Sequence, residues 1–166
     1  MNDELKELEE ALESYDHDDI YSALIRIGKG FHYEFKDKVQ AFLNHADAAL
    51  RAAAIRVLAF YWQMEEFKDS AERMSVWDED EETRSVALMG WAAYYEDTNN
   101  KEVMRRLYDT LRNKDEPDMV RLTAYTAMLC VSPLQAPSWP AHIPGIENVD
   151  EEADWDLVEQ LLRNAE

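Results

Sequence analysis

The sequence predicts an all-helical protein made of repeated pairs of helices. Glycine and proline are scarce, with 4 and 5 residues among 166, while residues that favour helices are frequent. No alternating run of β-branched residues indicates a strand. Apolar residues instead recur at helical spacing along most of the chain, and one pattern of arginine and alanine appears three times. The length suits a single domain, residues 1–166, with a sizeable core.

The repeated pattern is built around arginines at positions 51, 84 and 121. Each is followed by an alanine three residues later and by a large apolar residue seven residues later, so the three side chains share one helix face. An aspartate precedes each arginine, and the period of about 35 residues is typical of stacked helical repeats. The copies are Asp47, Arg51, Ala54 and Leu58; Asp80, Arg84, Ala87 and Trp91; and Asp115 or Asp118, Arg121, Ala124 and Met128.

These residues resemble the HEAT and HEAT-like repeats, including the PBS-lyase type, over roughly residues 16–132. The resemblance implies an armadillo-like helical fold: a right-handed α-α superhelix, or solenoid, of about three to four helical hairpins with capping helices. It also implies that acids and arginines bind along a ladder between neighbouring repeats. Gly90 departs from the pattern where the first copy has Val57. The implied ladder residues are Asp47, Arg51, Asp80, Arg84, Asp118 and Arg121.

Helical spacing and turn residues divide the chain into elements in order. Residues 1–15 predict an N-terminal cap whose helix, at 3–14, has an apolar stripe. Residues 16–132 hold the repeats, beginning with a degenerate copy at 16–28 in which Ile20 takes the place of the arginine. That copy ends at Gly28 and Gly30. Three helical pairs are predicted after it: 31–44 with 48–62, 65–76 with 81–95, and 101–113 with 118–131.

The pattern breaks after the third pair. Residues 133–149 are rich in proline, which disfavours helix. This loop is also apolar, and we expect it to pack on the repeats through Leu134, Trp139, Ile143 and Ile146. It is either a partner-binding element or simply part of the cap. Residues 150–166 predict a C-terminal cap helix at about 150–164.

Charge gives the strongest indication of a partner. The formal net charge is −19, from 36 acids and 17 bases. The acids concentrate in residues 3–19, 65–82 and 147–166. This balance disfavours direct binding to a nucleic-acid backbone and exceeds what solubility alone requires. We therefore expect a protein partner with a basic surface, although acidic faces that only keep the chain in solution remain the simpler alternative.

Motifs for catalysis, cofactors and metals are absent from the sequence. There is no phosphate-binding loop, dinucleotide fingerprint or nucleophile elbow. The four histidines form no zinc motif, and the Asp-rich runs lack the spacing of a calcium loop. We therefore expect no catalytic residue, no cofactor and no metal site. Cys130 lies in an apolar run and is expected to be a buried small hydrophobe.

Location is expected to be cytoplasmic. The single cysteine cannot form an intramolecular disulfide. The first residues are acidic and lack the apolar core of a secretory signal. No stretch of 18 apolar residues predicts a membrane span.

In HEAT-like folds the inner helices line a concave surface, where partners commonly bind. Aligning the inner helices on their arginines predicts which side chains line it, although simple core packing under the loop is the alternative. The predicted partner-binding residues are Ile55, Arg56, Trp62, Leu88, Met89, Tyr95 and Tyr125 on this face, with Asp78, Glu79, Asp80, Glu81 and Glu82 in the acidic run.

The leading hypothesis is a non-catalytic acidic module that binds a basic protein. A bacterial immunity or inhibitor protein is the most concrete version, because nuclease toxins carry basic clefts that an acidic inhibitor would occlude. A scaffold, an adaptor or a nucleic-acid mimic would fit the same charge. The enzyme alternative is a relative of the alkylpurine DNA glycosylases, with Trp62, Trp91 and Tyr95 in an aromatic cleft, or of bilin lyases. The negative charge disfavours the glycosylase version.

Overall fold

The computed structural model describes residues 3–134, 140 and 145–166. Every regular element in these residues is helical, as the sequence predicts, and the predicted helix pairs lie within a few residues of the observed ones. Short 3-10 turns lie on both sides of the third helix and before the fifth helix. The α-helices are α1 Asp3–Leu12, α2 His17–Lys29, α3 Lys36–Ala41, α4 Ala48–Ile55, α5 Lys68–Trp77, α6 Glu81–Ala93, α7 Lys101–Arg112, α8 Asp118–Val131, α9 Val149–Glu152 and α10 Trp155–Ala165.

Consecutive helices pack in pairs: α1 with α2, α3 with α4, α5 with α6 and α7 with α8. The second helices of these pairs contact one another in chain order, so α2, α4, α6 and α8 form a layer that we call the inner layer. Helix α10 packs on α7 and α8. None of the helices described is long and apolar enough to cross a bilayer.

The four helices of the inner layer run in the same direction. Close to their N-terminal ends, His17 Nδ1 lies 2.6 Å from Asp47 Oδ2, and Thr83 Oγ1 donates a hydrogen bond of 3.2 Å to the carbonyl of Ala48. Ser85 Oγ and Thr123 Oγ1, near the starts of α6 and α8, lie 2.6 Å apart. Close to the C-terminal ends, Trp62 Nε1 donates to the carbonyl of Gly28 at 3.1 Å, and Asn99 N, after α6, donates to the carbonyl of Val131 at the end of α8 at 2.8 Å. The N-terminal ends therefore share one edge of the layer.

The alanines of the repeat lie at the centre of the packing. Ala54, Ala87 and Ala124 are fully buried, and their small size lets neighbouring helices approach closely. Two apolar clusters meet around α4: one is formed with α1 to α3, the other with α5 to α10. The inner layer therefore contributes to both clusters.

Helix α4 does not continue as an α-helix to residue 62. The stretch Arg56–Tyr61 is π-helical, and Trp62 N accordingly donates to the carbonyl five residues back, at Val57. Two glycines allow other helices to approach this stretch. A Cβ at Gly28 would lie 2.6 Å from Tyr61 Cδ2, and one at Gly90 would lie 3.1 Å from Ala59 Cβ. Gly90, the departure from the repeat pattern, is therefore explained by close approach.

The C-terminal cap differs from the single predicted helix. It consists of α9 and α10, which are separated by extended backbone at Ala153. Asp154 caps α10 by accepting a hydrogen bond from Leu157 N at 3.0 Å, which makes a new helix start there. In the preceding loop, Leu134 and Ile146 pack against the core. Trp139 and Ile143 lie outside the described residues.

Candidate functional site

Each repeat arginine binds an acid that belongs to the next helical pair or, for the last one, to the C-terminal cap. Arg51 binds Asp78 through two hydrogen bonds, of 3.0 and 2.8 Å. Arg84 Nη2 lies 3.6 Å from Glu116 Oε2. Arg121 Nη2 donates to Asp150 Oδ1 at 2.6 Å. The arginines therefore connect successive units of the chain.

The acids of this ladder differ from those that the repeat pattern predicted. Asp47 and Asp80 bind no arginine side chain. They cap the inner helices, with Asp47 accepting from Ala49 N at 2.8 Å and Asp80 from Thr83 N at 2.7 Å. An acid at the N-cap position turns its side chain back onto its own helix, which makes it unavailable to the arginine one turn later. Asp118 does accept from Arg121, at 3.0 Å within α8.

Asp78 is the most enclosed acid of the ladder. Its side chain is 8% exposed. Burial raises the pKa of this carboxyl, but the hydrogen bonds from Arg51 and from Asp80 N, together with the positive charges of Arg51 and Arg84, outweigh burial, so the pKa lies below the ordinary value. Asp78 therefore stays ionised, and its carboxylate is bound by Arg51 within the fold. Arg51 already donates a hydrogen bond to each of its oxygens, so a role of Asp78 in binding a partner stays a prediction that the structure does not favour.

A row of exposed carboxylates lies along the edge where the inner helices begin. They come from the loops and first turns of α2, α6, α8 and α9, because these helices start at the same edge. Within these described loops and turns, Lys114 is the one exposed lysine or arginine. We call this row the acidic edge, and its members are Asp18, Asp19, Glu79, Glu81, Glu82, Asp115 and Glu151.

Large apolar side chains are exposed beside these carboxylates. Tyr15 precedes α2 and is fully exposed, Trp77 ends α5 with 79% of its surface exposed, and Met119 in the first turn of α8 is 45% exposed. Exposed aromatic side chains are typical anchors of protein interfaces. Sequence reasoning missed these three. The sequence did contain a signal for them: each is a large apolar residue next to acids at the boundary of a helix, and none belongs to the apolar stripe of that helix.

The predicted concave face is only partly open. Ile55, Leu88, Tyr125 and Trp62 are at most 8% exposed and belong to the core, so the prediction that they contact a partner is wrong. Arg56, Met89 and Tyr95 are half-buried. Alignment on the arginines predicted two adjacent rows for this face, and adjacent residues point about 100° apart around a helix. The row of Ile55 is therefore buried, while the row of Arg56 is partly open.

The open part of this face contains a groove between α6, α8 and the π-helical stretch after α4. Its volume is about 290 Å³. At one wall, Ser85 Oγ and Thr123 Oγ1 lie 2.6 Å apart. The sequence placed Arg56 and Met89 on this face but missed the other members. The lining residues are Arg56, Phe60, Tyr61, Ser85, Val86, Met89 and Thr123.

Other sites considered from the sequence find less support. The glycosylase alternative needs exposed aromatic rings that can stack on a nucleic-acid base. Trp62 and Trp91 are only 8% and 4% exposed, so neither ring is available for stacking. His17 and His45 lie with ring centroids 5.4 Å apart. In the described part of the chain, no three His, Cys, Asp or Glu side chains are placed to hold a metal ion. Cys130 is half-buried, and burial with the nearby Glu96 and Asp97 raises its thiol pKa to about 11.

Comparison of the chain with protein-family models, with curated proteins and with solved structures found no match.

Proposed function

We propose that this chain is a non-catalytic repeat protein, a short HEAT-like solenoid, that binds a basic protein through the acidic edge. The inner helices run in one direction, and arginines connect each pair to the next unit. Both features support stacked repeats that wind as a superhelix. An immunity or inhibitor protein that covers the basic cleft of its target is the most concrete form of this function.

The convergence of acids from separate helical pairs carries this proposal. Glu79 lies in the loop between α5 and α6, and Glu81 and Glu82 lie in the first turn of α6. Asp18 and Asp115 are supplied by other pairs. Each group alone could be explained by the favourable interaction of acids with helix N-termini. Together they give one extended negative surface, which accelerates association with a positive partner and selects against negative ones.

The exposed aromatic residues at this edge favour a protein partner that is rich in arginine. A guanidinium group binds a carboxylate through two parallel hydrogen bonds and also stacks on an aromatic ring. Trp77 is followed along the chain by the acidic run, so ring and carboxylates lie together. A small inorganic cation would bind the carboxylates but would not stack on the aromatic rings.

The test compares two triple variants of equal charge. The edge variant carries Glu79→Gln, Glu81→Gln and Glu82→Gln. The control carries Asp69→Asn, Glu96→Gln and Glu102→Gln, three exposed acids at the starts of α5 and α7 and after the end of α6, away from the acidic edge. Both variants and the unmodified chain serve as bait for a native lysate at about 0.1 M and about 1 M salt, where screening differs strongly.

We expect the unmodified chain and the control to retain the same basic protein at low salt, and the edge variant to lose it. Circular dichroism checks that both variants stay folded. Equal retention by the edge variant would contradict the proposal, because the lost charges would then not contribute to binding. Retention that does not change at high salt would contradict it too.

A further inference from the structure

The groove of the inner layer contains an arginine side chain that forms no ion pair with a described residue. Arg56 is half-buried, and its Nη1 donates to Tyr21 Oη at 3.3 Å. No carboxylate oxygen among the described residues lies within 4.0 Å of it. Arg51 and Arg121 on the same layer each have a carboxylate within 3 Å. In a chain with 36 acids, an arginine in such a position is available to an external anion.

The surroundings of Arg56 are uncharged. The other six residues that line the groove are aromatic, aliphatic or hydroxylated, and none is acidic. Apolar side chains continue onto α2, where Tyr21 and Ile25 are half-buried. The groove thus lies in an apolar strip across the inner layer, which differs from the acidic edge in both charge and composition.

Backbone geometry sets this groove apart from the rest of the layer. Arg56, Phe60 and Tyr61 all belong to the π-helical stretch. π-helical turns are rare and occur frequently at functional sites. Phe60 is 40% exposed, although it lies in a layer whose repeat alanines, Ala54, Ala87 and Ala124, are fully buried. The π-helix therefore supplies both the cation and the main exposed ring.

We propose that this groove binds a protein segment that presents apolar side chains and one carboxylate, with the carboxylate on Arg56. Charge complementarity selects the carboxylate, because a bidentate pair with arginine is the strongest interaction that the groove offers. The volume of about 290 Å³ is at the lower limit for small-molecule sites, which enclose most of their ligand. An open groove within a longer apolar strip suits an extended or helical segment better. This surface is separate from the acidic edge and does not depend on the function proposed for it.

Selection from phage-displayed random peptides of 16 residues tests the surface. The unmodified chain is used for capture, and a Met89→Asp variant, which places a charge in the groove, is used for counter-selection. We expect peptides with spaced apolar residues and a single Asp or Glu. If the selected peptides are basic and also bind the Met89→Asp variant, this inference is overturned. That result would instead support binding at the acidic edge. A selection without enrichment would overturn it as well.

A double-mutant cycle then tests the role of Arg56. A selected peptide and its Glu→Gln or Asp→Asn form are measured by fluorescence anisotropy on the unmodified chain and on Arg56→Gln. We expect Arg56→Gln to weaken the acidic peptide about tenfold and the amide form much less, as a charged hydrogen bond requires. Arg73→Gln, on the exposed side of α5, makes the same change of charge and should leave both affinities unchanged.

Two results of the cycle would overturn the inference. Equal weakening of both peptide forms by Arg56→Gln would mean that the carboxylate does not bind there. Equal effects of Arg56→Gln and Arg73→Gln would mean that only the overall charge matters. Octanoate is added as a competitor at the peptide concentration. Full displacement by octanoate would assign the groove to a free carboxylic acid instead of a protein segment.

Discussion

Arg51 and Asp78 join two successive helical pairs through two nearly parallel hydrogen bonds, Nε to Oδ2 at 3.0 Å and Nη2 to Oδ1 at 2.8 Å. The Arg51 side chain is 11% exposed and the Asp78 side chain 8%. The same guanidinium also donates to the carbonyls of His45 and Ala46 at 3.0 Å. The pair therefore fixes the loop before α4 against the loop before α6.

Loss of Arg51 should destabilise the fold more than loss of Arg84. In Arg51→Ala, Asp78 remains buried without its cation, and we expect the free energy of unfolding to fall by about 3 kcal/mol. Arg84 binds Glu116 only at 3.6 Å and the carbonyl of Asp78 at 3.0 Å, so Arg84→Ala should cost about 1 kcal/mol.

Urea unfolding measures both losses. Arg73→Ala is the control, because the hydrogen bond to Ser70 is the only one that this exposed side chain makes to a residue that the structure describes, and its loss should change stability by less than about 0.5 kcal/mol. If Arg84→Ala were the more damaging variant, the ranking of the ladder by burial would be wrong.

The Arg51 and Asp78 pair should also contribute to acid sensitivity. Its environment lowers the pKa of Asp78 in the folded state, while the unfolded value is about 3.9. Stability from this group is therefore present above about pH 4 and is lost as the pH falls through the lower, folded pKa.

The double variant Arg51→Met/Asp78→Leu isolates that contribution, because it replaces the ion pair by apolar side chains. Between about pH 5 and pH 2, its unfolding free energy should fall less steeply than that of the unmodified chain. Parallel curves in urea titrations across this range would show that Asp78 does not titrate as the structure implies.

The two glycines beside the π-helix should respond differently to alanine. At Gly28 a Cβ would lie 2.6 Å from Tyr61 Cδ2 and 2.7 Å from Val57 Cγ2. We expect Gly28→Ala to destabilise by about 1–2 kcal/mol, because buried side chains must shift. At Gly90 the nearest contact would be 3.1 Å, and a gain in helix propensity of about 1 kcal/mol offsets the strain.

Thermal unfolding of Gly28→Ala and Gly90→Ala provides the comparison. Gly90→Ala should remain within about 1 kcal/mol of the unmodified chain. A Gly28→Ala variant of unchanged stability would show that α2 and the π-helix can separate freely at this point.

Two buried tryptophans differ in how their indole N–H groups are used. Trp62 Nε1 donates to the carbonyl of Gly28 at 3.1 Å, whereas Trp91 Nε1 is buried without an acceptor in the described structure. Trp62→Phe removes one of two hydrogen bonds to the Gly28 carbonyl, which keeps the bond from Phe31 N, and should cost about 1 kcal/mol beyond the loss of packing. Trp91→Phe removes an unsatisfied group and should cost less.

Guanidinium unfolding of the two phenylalanine variants checks this ranking. Both substitutions remove a similar apolar area, so packing alone predicts similar losses. Arg106 stacks over the Trp91 ring, with Cζ 4.1 Å from the centroid, and phenylalanine retains a ring for that contact. A larger loss for Trp91→Phe would mean that its N–H has a partner in solution.

The helical pairs were predictable because their signal is local. Arginine, alanine and a large apolar residue at fixed spacing define a helix face whatever the partner helix is. The partner of Arg51 was not predictable in the same way. Asp78 is the first of five consecutive acids, and only the three-dimensional path of the loop decides which of them meets the guanidinium.

The groove was predicted only in part, for a geometric reason. The aligned rows included both residues 55 and 56, which point about 100° apart on a helix, so the prediction combined a buried Ile55 with the open Arg56. The π-helix adds a further change of register before Phe60. Gly28 and Gly90, which closely approach this turn, lie far from it in the sequence.

Cys130 should react slowly with thiol reagents. Burial, with Glu96 and Asp97 nearby, raises its pKa to about 11 from an ordinary 9.0. The thiolate fraction at pH 8 is then about a hundredfold lower than for an ordinary thiol. A thiolate of higher pKa is also more nucleophilic, which recovers about tenfold. We therefore expect modification by Ellman's reagent to be about tenfold slower than in the urea-unfolded chain, before any steric protection.

The dependence on pH distinguishes burial from steric protection of Cys130. Between pH 7 and pH 10 the rate in the folded chain should keep rising about tenfold per pH unit, since the thiol stays below its raised pKa. In the unfolded chain the rate should level off near pH 9. A folded-state rate that levels off at the same pH would show that the thiol is ordinary, and that only access limits its reaction.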